Sequence, residues 1–228
     1  MSEPVGHLDL KRSVPSPHGG GRILAAGAPL GTAGAALILV HGRGATAEDI
    51  LELGNEWRAP GFALLAPQAA EFTWYPRTFL APLDQNEPDL SSALALLAAL
   101  VAEVEDHGVP KSRQILLGFS QGGCLALEFA GRNATRRGGV VALSGGLIGP
   151  PGRRWNFEGS LLDTPVFLGC SDHDPHIPAA RVLESSAEMK RIGGDVDARL
   201  YPGLGHTVNR DELKAVQALI DRLGPKPR

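Results

Sequence analysis

The chain has 228 residues and a formal net charge of −3, from 22 Lys and Arg against 25 Asp and Glu. Hydrophobic residues make up 43% and charged residues 21%, the balance of a globular chain and not of a disordered one. So mild a charge offers no electrostatic case for nucleic acid or an anionic membrane surface, and no segment approaches the length of a membrane span.

The first residues, Met1 to His7, lack the apolar centre of a secretory signal, so a cytoplasmic location is expected. The length fits one domain over 1–228, with about the first 20 residues as an N-terminal extension. From about residue 8 to 28 the chain is rich in Gly and Pro and reads as an antiparallel hairpin at a sheet edge, turning at Gly19-Gly20-Gly21. Ala35–Val40 is a strand. Thr46–Trp57 is a helix, with Thr46 as its cap and Asp49 completing a capping box. Phe62–Ala66 is a further strand, halted by Pro67. Asp89–His107 is the clearest helix: Leu90, Leu94, Leu97, Val101 and Val104 share one face, Asp89 caps the start and Gly108 ends it.

Gln114–Phe119 is a short apolar run that reads as a buried strand, followed by a helix over Gln121–Asn133. Gly139–Leu143 and Pro165–Gly169 are strands joined by a loop, Ser144–Thr164. Ala179–Ile192 is a helix with Pro178 at its start, Asp197–Tyr201 a strand and Arg210–Leu223 a closing helix. Cys124 and Cys170 are the only two cysteines, and both read as small core residues. Strands alternating with helices define an α/β protein with a mostly parallel central sheet covered by helices on both faces. Chemistry in such a sheet sits in the loops at the carboxyl ends of the strands.

Four of those loops carry polar residues of a matching kind. Gly118-Phe119-Ser120-Gln121-Gly122 places a serine between a strand and a helix, with glycines where the two must approach closely. A serine hydroxyl is a weak nucleophile and needs an adjacent base. His206, in Gly203-Leu204-Gly205-His206 after a strand, supplies an imidazole that titrates near neutral pH. A carboxylate to orient it follows Phe167–Cys170, where Asp172 and Asp174 are two candidates in Asp172-His173-Asp174-Pro175-His176. The spacing of that segment fits no standard zinc signature. The order Ser, Asp, His along the chain is that of an α/β-hydrolase triad.

A developing oxyanion needs preorganised donors, and the backbone N–H groups of Arg43, in His41-Gly42-Arg43-Gly44, and of Gln121 are the candidates. The Arg43 side chain reads as a rim charge that can steer an anionic substrate group. The segment Gly42 to Ala47 also satisfies a dinucleotide fingerprint, Gly-x-Gly-x-x-Ala, but no acidic residue ends the next strand. Trp74 and Tyr75, in an aromatic cluster at the active edge, are candidate substrate-binding residues.

Taken with Trp74-Tyr75-Pro76, Asp174-Pro175-His176-Ile177-Pro178 and Gly205-His206, these motifs resemble the phospholipase/carboxylesterase family of α/β-hydrolases, which includes acyl-protein thioesterases. The resemblance spans about residues 20–223, and Gly-Phe-Ser-Gln-Gly-Gly is far more specific than Gly-x-Ser-x-Gly. It implies the α/β-hydrolase fold and hydrolysis of a small-molecule ester or thioester by Ser120, Asp174 and His206, with no metal and no organic cofactor. The family's catalytic aspartate opens an Asp-Pro-x-Val-Pro element, which maps onto Asp174 and puts Ile177 at the valine. Arg43 stands where acyl-protein thioesterases usually carry leucine, and the Gly169–Asp174 loop is longer than theirs. Both departures favour a carboxylesterase for small to medium acyl chains over protein depalmitoylation. Acyl thioesterase or lysophospholipase activity is the alternative within the family, and a non-catalytic ligand-binding protein is the alternative of another class. The short Ser144–Thr164 loop predicts no large lid, and a homodimer is compatible with the sequence.

Overall fold

Eight strands form one sheet in the computed structural model, which describes residues 6–224. They are β1 (Gly6–His7), β2 (Ile23–Gly27), β3 (Ala35–Val40), β4 (Phe62–Pro67), β5 (Gln114–Phe119), β6 (Gly139–Leu143), β7 (Pro165–Ser171) and β8 (Asp195–Tyr201). Their order across the sheet is β1-β2-β4-β3-β5-β6-β7-β8. Strands β1 and β2 are antiparallel to their neighbours and the remaining six are parallel. Five α-helices accompany them among the described residues: α1 (Ala47–Gly54), α2 (Asp89–Asp106), α3 (Gln121–Arg132), α4 (Ala179–Arg191) and α5 (Arg210–Leu223).

Side chains of β3 alternate between two cores, as the strand period of two requires. Ala36, Ile38 and Val40 pack with apolar residues of α2, α3 and α4, while Ala35, Leu37 and Leu39 pack with α1 and α5. The sheet is therefore covered on both faces, which is why its strands read as continuous apolar runs.

Strand β3 lies between β4 and β5, so the chain leaves β3 to one side and returns on the other. That reversal opens a crevice at the carboxyl ends, where α/β sheets bind ligands. Val40 pairs with Gly118, and Phe119 with Leu143. The loops after β3 and β5 are thus immediate neighbours.

The hairpin expected near residues 8–28 is made by β1 and β2, and its connection runs from Leu8 to Arg22 rather than turning at the three glycines alone. His18 in that connection is buried, its ring bridging the Trp74 carbonyl and the Ala70 N–H at 3.1 Å each. The capping box at Thr46 and Asp49 is present, although α1 stops at Gly54, three residues short of Trp57. Asp89 is not the cap of α2. Pro88 holds that position, and Glu87 accepts the Ser91 N–H at 3.0 Å in its stead.

Candidate active site

Strand β5 hands over to α3 through one residue, Ser120, whose backbone is at φ 54° and ψ −119°. Such a conformation in a residue with a side chain costs about 1–3 kcal/mol and has to be enforced by its surroundings. The Ser120 N–H donates to the Leu143 carbonyl at 2.9 Å, and its own carbonyl accepts from Cys124 at 3.0 Å. The flanking glycines allow the crossing. A Cβ at Gly118 would collide with the Gly122 carbonyl group, and one at Gly122 with the Val40 carbonyl oxygen.

His206, in the loop after β8, reaches the serine: its Nε2 lies 2.8 Å from Ser120 Oγ. Its Nδ1 lies 2.7 Å from Asp174 Oδ2. A carboxylate can only accept, so Nδ1 carries the proton and Nε2 is left to accept the serine hydroxyl. Asp174 Oδ1 accepts the backbone N–H groups of His176 at 2.8 Å and Ile177 at 3.0 Å. Burial alone would raise this carboxyl, but the hydrogen bonds from His206, His176 and Ile177 outweigh it and hold it below the usual aspartate value. Asp172 takes the other role open to it. Its Oδ1 accepts the Gly203 N–H at 2.9 Å and faces His173 Nδ1 at 2.8 Å, away from His206.

Two contacts that sequence reasoning missed set the His206 ring. Phe119 lies against it with ring centres 5.1 Å apart, and His176 meets it edge-on at 4.8 Å. Only the His176 position in the Asp-Pro-His-Ile-Pro element hinted at such a role.

The turn after β3 is braced from behind. His41 is buried, with Nδ1 donating to the Gly42 carbonyl at 2.7 Å and Nε2 accepting the Ala69 N–H at 3.1 Å. Burial lowers its pKa, and an Nε2 that accepts an N–H carries no proton. Trp74, expected to line the substrate pocket, does not: it is wholly buried outside the cavity lining, its indole N–H donating to the His41 carbonyl at 2.8 Å. An aromatic ring with a polar handle met an otherwise orphaned carbonyl, and that pairing drew it inward. The Gln121 side chain ties the same loop to α3, accepting the Trp74 N–H at 3.0 Å and donating to the Tyr75 carbonyl at 2.9 Å. The backbone N–H groups of Arg43 and Gln121 have no acceptor among the described residues.

These loops enclose a cavity of about 490 Å³ with Ser120 and His206 in its wall. Tyr75, Phe79, Phe119, Cys124 and Ile177 supply its apolar lining. Tyr75 is in this lining, with a buried hydroxyl that has no hydrogen-bond partner. The 144–164 loop contributes nothing to the cavity wall. It is held against α4 instead, by the Arg181 guanidinium on the Leu147 and Gly149 carbonyls at 2.7 Å each. The Arg43 side chain folds over the rim and donates to the carbonyls of Tyr75 at 2.8 Å, Pro76 at 3.2 Å and Arg77 at 2.6 Å.

A mostly parallel sheet bearing this serine turn at its carboxyl edge, with no large lid among the described residues, is the α/β-hydrolase fold. Comparison with known proteins narrows the class. The profile described as Phospholipase/Carboxylesterase matches residues 25–223, and the chain belongs to that family, which is one of carboxylic ester hydrolases. The crystal structure of a phospholipase/carboxylesterase from Dyadobacter fermentans is 40% identical, superposing with a TM-score of 0.85 over 93% of this chain and 99% of that one. Acyl-protein thioesterase 1 of Neurospora crassa is 27% identical over 221 residues, 84% of this chain and 88% of that protein. A Bacillus cereus carboxylesterase shares the fold at 18% identity, with a TM-score of 0.73 over 90% of this chain and 95% of its own. No helix among the described residues is long and apolar enough to cross a membrane.

Proposed function

We propose that this chain is a serine carboxylesterase that cleaves small to medium acyl esters through an acyl-enzyme. The observation that carries this reading is the unbroken relay from Ser120 Oγ to His206 Nε2 at 2.8 Å and from His206 Nδ1 to Asp174 at 2.7 Å. Ser120 Oγ attacks the ester carbonyl while His206 takes its proton. Asp174 orients the ring and stabilises the imidazolium. The carbonyl oxygen becomes an oxyanion, received by the N–H groups of Arg43 and Gln121, whose lack of other acceptors suits the task. His206 then protonates the departing alkoxide, leaving Ser120 acylated. A water, deprotonated by His206, attacks the acyl carbonyl; the second tetrahedral intermediate collapses to release the acid and restore the serine.

The cavity of about 490 Å³ lies within the usual range for small ligands and suits short to medium acyl groups. Thioester hydrolysis is the second reading, favoured by the likeness to acyl-protein thioesterase 1. The same relay serves both, since a thiolate leaving group needs less help from His206 than an alkoxide. Two unpaired, buried cysteines fit a reducing compartment such as the cytoplasm. The experiment is hydrolysis of p-nitrophenyl esters and matched thioesters of increasing acyl length by the native chain and Ser120→Ala. Ester turnover that falls by more than about a thousandfold in Ser120→Ala supports the proposal. Full activity in the variant, or binding of esters without turnover, contradicts it.

A further inference from the structure

The permanently charged side chains facing the cavity, Arg43 and Arg77, are both cationic. Arg43, Arg77, His176 and His206 line it, and no Asp or Glu does. This is a local property, because the chain as a whole carries −3. The Arg43 guanidinium is held by three hydrogen bonds, all to neutral carbonyls, and neither Arg43 nor Arg77 makes an ion pair among the described residues. Of the acidic groups on neighbouring segments, Glu48 is engaged with Arg22 at 2.6 Å, Asp49 with the Thr46 N–H at 2.7 Å, Glu87 with the Ser91 N–H at 3.0 Å and Asp174 with His206, while Glu71 and Asp84 are exposed and pair with neither arginine. Arg43 has five N–H donors and spends three on that clamp, so two remain for a ligand.

Turnover leaves the imbalance in place. When His206 accepts the serine proton, the imidazolium forms together with the oxyanion, so the net charge of the site does not change and the two arginines stay uncompensated. Arg43 also braces the loop, but neither guanidinium group at the mouth has a carboxylate partner. An anionic substituent there would be drawn in by them.

We infer that the preferred substrates are esters bearing an anionic group, a carboxylate or a phosphate, on the arm that lies along Arg43 and Arg77. This inference rests on the proposed ester hydrolysis and names the substrate class for that same site. Arg43 positions the group through a guanidinium already fixed in place, so little side-chain entropy is lost on binding. Arg77 is exposed and its side chain makes no hydrogen bond, so it adds charge without holding the fold.

The test compares kcat/KM for two matched pairs. One pair puts the anion on the acyl side: the p-nitrophenyl monoester of glutaric acid against its methyl ester. The other puts it on the alcohol side: 4-acetoxybenzoate against methyl 4-acetoxybenzoate, with a phosphate-bearing phenyl acetate as a further arm. The readout is the ratio of anionic to neutral substrate within each enzyme, which cancels differences in overall activity. The expected result is a ratio of about ten for at least one pair, shrinking towards unity at high salt. It should fall several-fold in Arg77→Gln and invert in Arg77→Glu, both checked for folding by circular dichroism. Ratios near unity for both pairs and for the phosphate ester, or ratios that Arg77→Glu leaves unmoved, overturn the inference. Ser120→Ala run beside them separates the two levels: loss of all turnover with flat ratios removes only the anion preference, whereas turnover that survives in Ser120→Ala removes the esterase reading beneath it.

Discussion

At the scale of single residues, two aspartates two positions apart have opposite surroundings, and that decides their chemistry. The Asp174 side chain is shielded from solvent and bonded to His206, while the Asp172 side chain is partly exposed and serves the Gly203 amide. Asp174→Asn should therefore lower kcat on p-nitrophenyl butyrate by about 10³–10⁴-fold, because the amide can leave His206 in the wrong tautomer. Asp172→Asn should change kcat by less than about fivefold, since only a loop contact near the surface is altered. Equal losses in the two variants would undo the assignment. The residues themselves were legible in the sequence, because each chemistry-bearing side chain follows its own strand. Their partners were not. That Trp74 turns inward to the His41 carbonyl, that His176 meets His206 and that Arg43 folds over three carbonyls depend on contacts between loops distant in sequence, which no local pattern encodes.

At the scale of elements, the β5–Ser120–α3 turn is a strained piece kept in place by close backbone contact. Gly118→Ala and Gly122→Ala each put a Cβ into a backbone carbonyl, so both should lose more than about 3 kcal/mol of stability or fail to accumulate as folded protein. The serine conformation makes a contrasting prediction. Ser120→Gly should be more stable than Ser120→Ala by about 1 kcal/mol in chemical denaturation, because only glycine adopts φ 54° at no steric cost. If alanine equals glycine there, the turn is not strained. Helices and central strands were readable because buried parallel strands are unbroken apolar runs and the helices carry one apolar face. The antiparallel edge was readable only in outline: β1 has two residues and is joined to β2 through an irregular segment with no periodicity to follow. The α2 cap was misread for a related reason, since Glu87, Pro88 and Asp89 all suit a helix start and only the fold selects among them.

At the scale of the whole molecule, buried ionisable groups give stability a pH dependence of two opposing signs. Glu212 is buried below β7, with Oε2 accepting the Asn209 N–H and Oε1 unpartnered; burial raises its pKa from 4.5 to about 7. A raised carboxyl binds its proton more tightly in the folded state, so its contribution is full below about pH 4.5 and lost as pH climbs through about 7. The gap corresponds to about 3 kcal/mol, and Glu212→Gln should gain that much on the native chain between about pH 5 and pH 8. His18 and His41 act the other way. Burial lowers both below 6.5, so they favour the folded state above that value and cost stability as pH falls through their folded pKa values. Denaturation curves of the native chain and Glu212→Gln across this range would expose a missing divergence at once. The proposed ester hydrolysis requires Ser120 to be the nucleophile of this α/β-hydrolase. Its most direct measurement is reaction of the native chain with a fluorophosphonate, followed by peptide mass spectrometry. One adduct is expected, on Ser120, formed rapidly in the native chain and far more slowly in His206→Ala; no adduct, or one on another residue at the same rate in both, would contradict a Ser120 nucleophile.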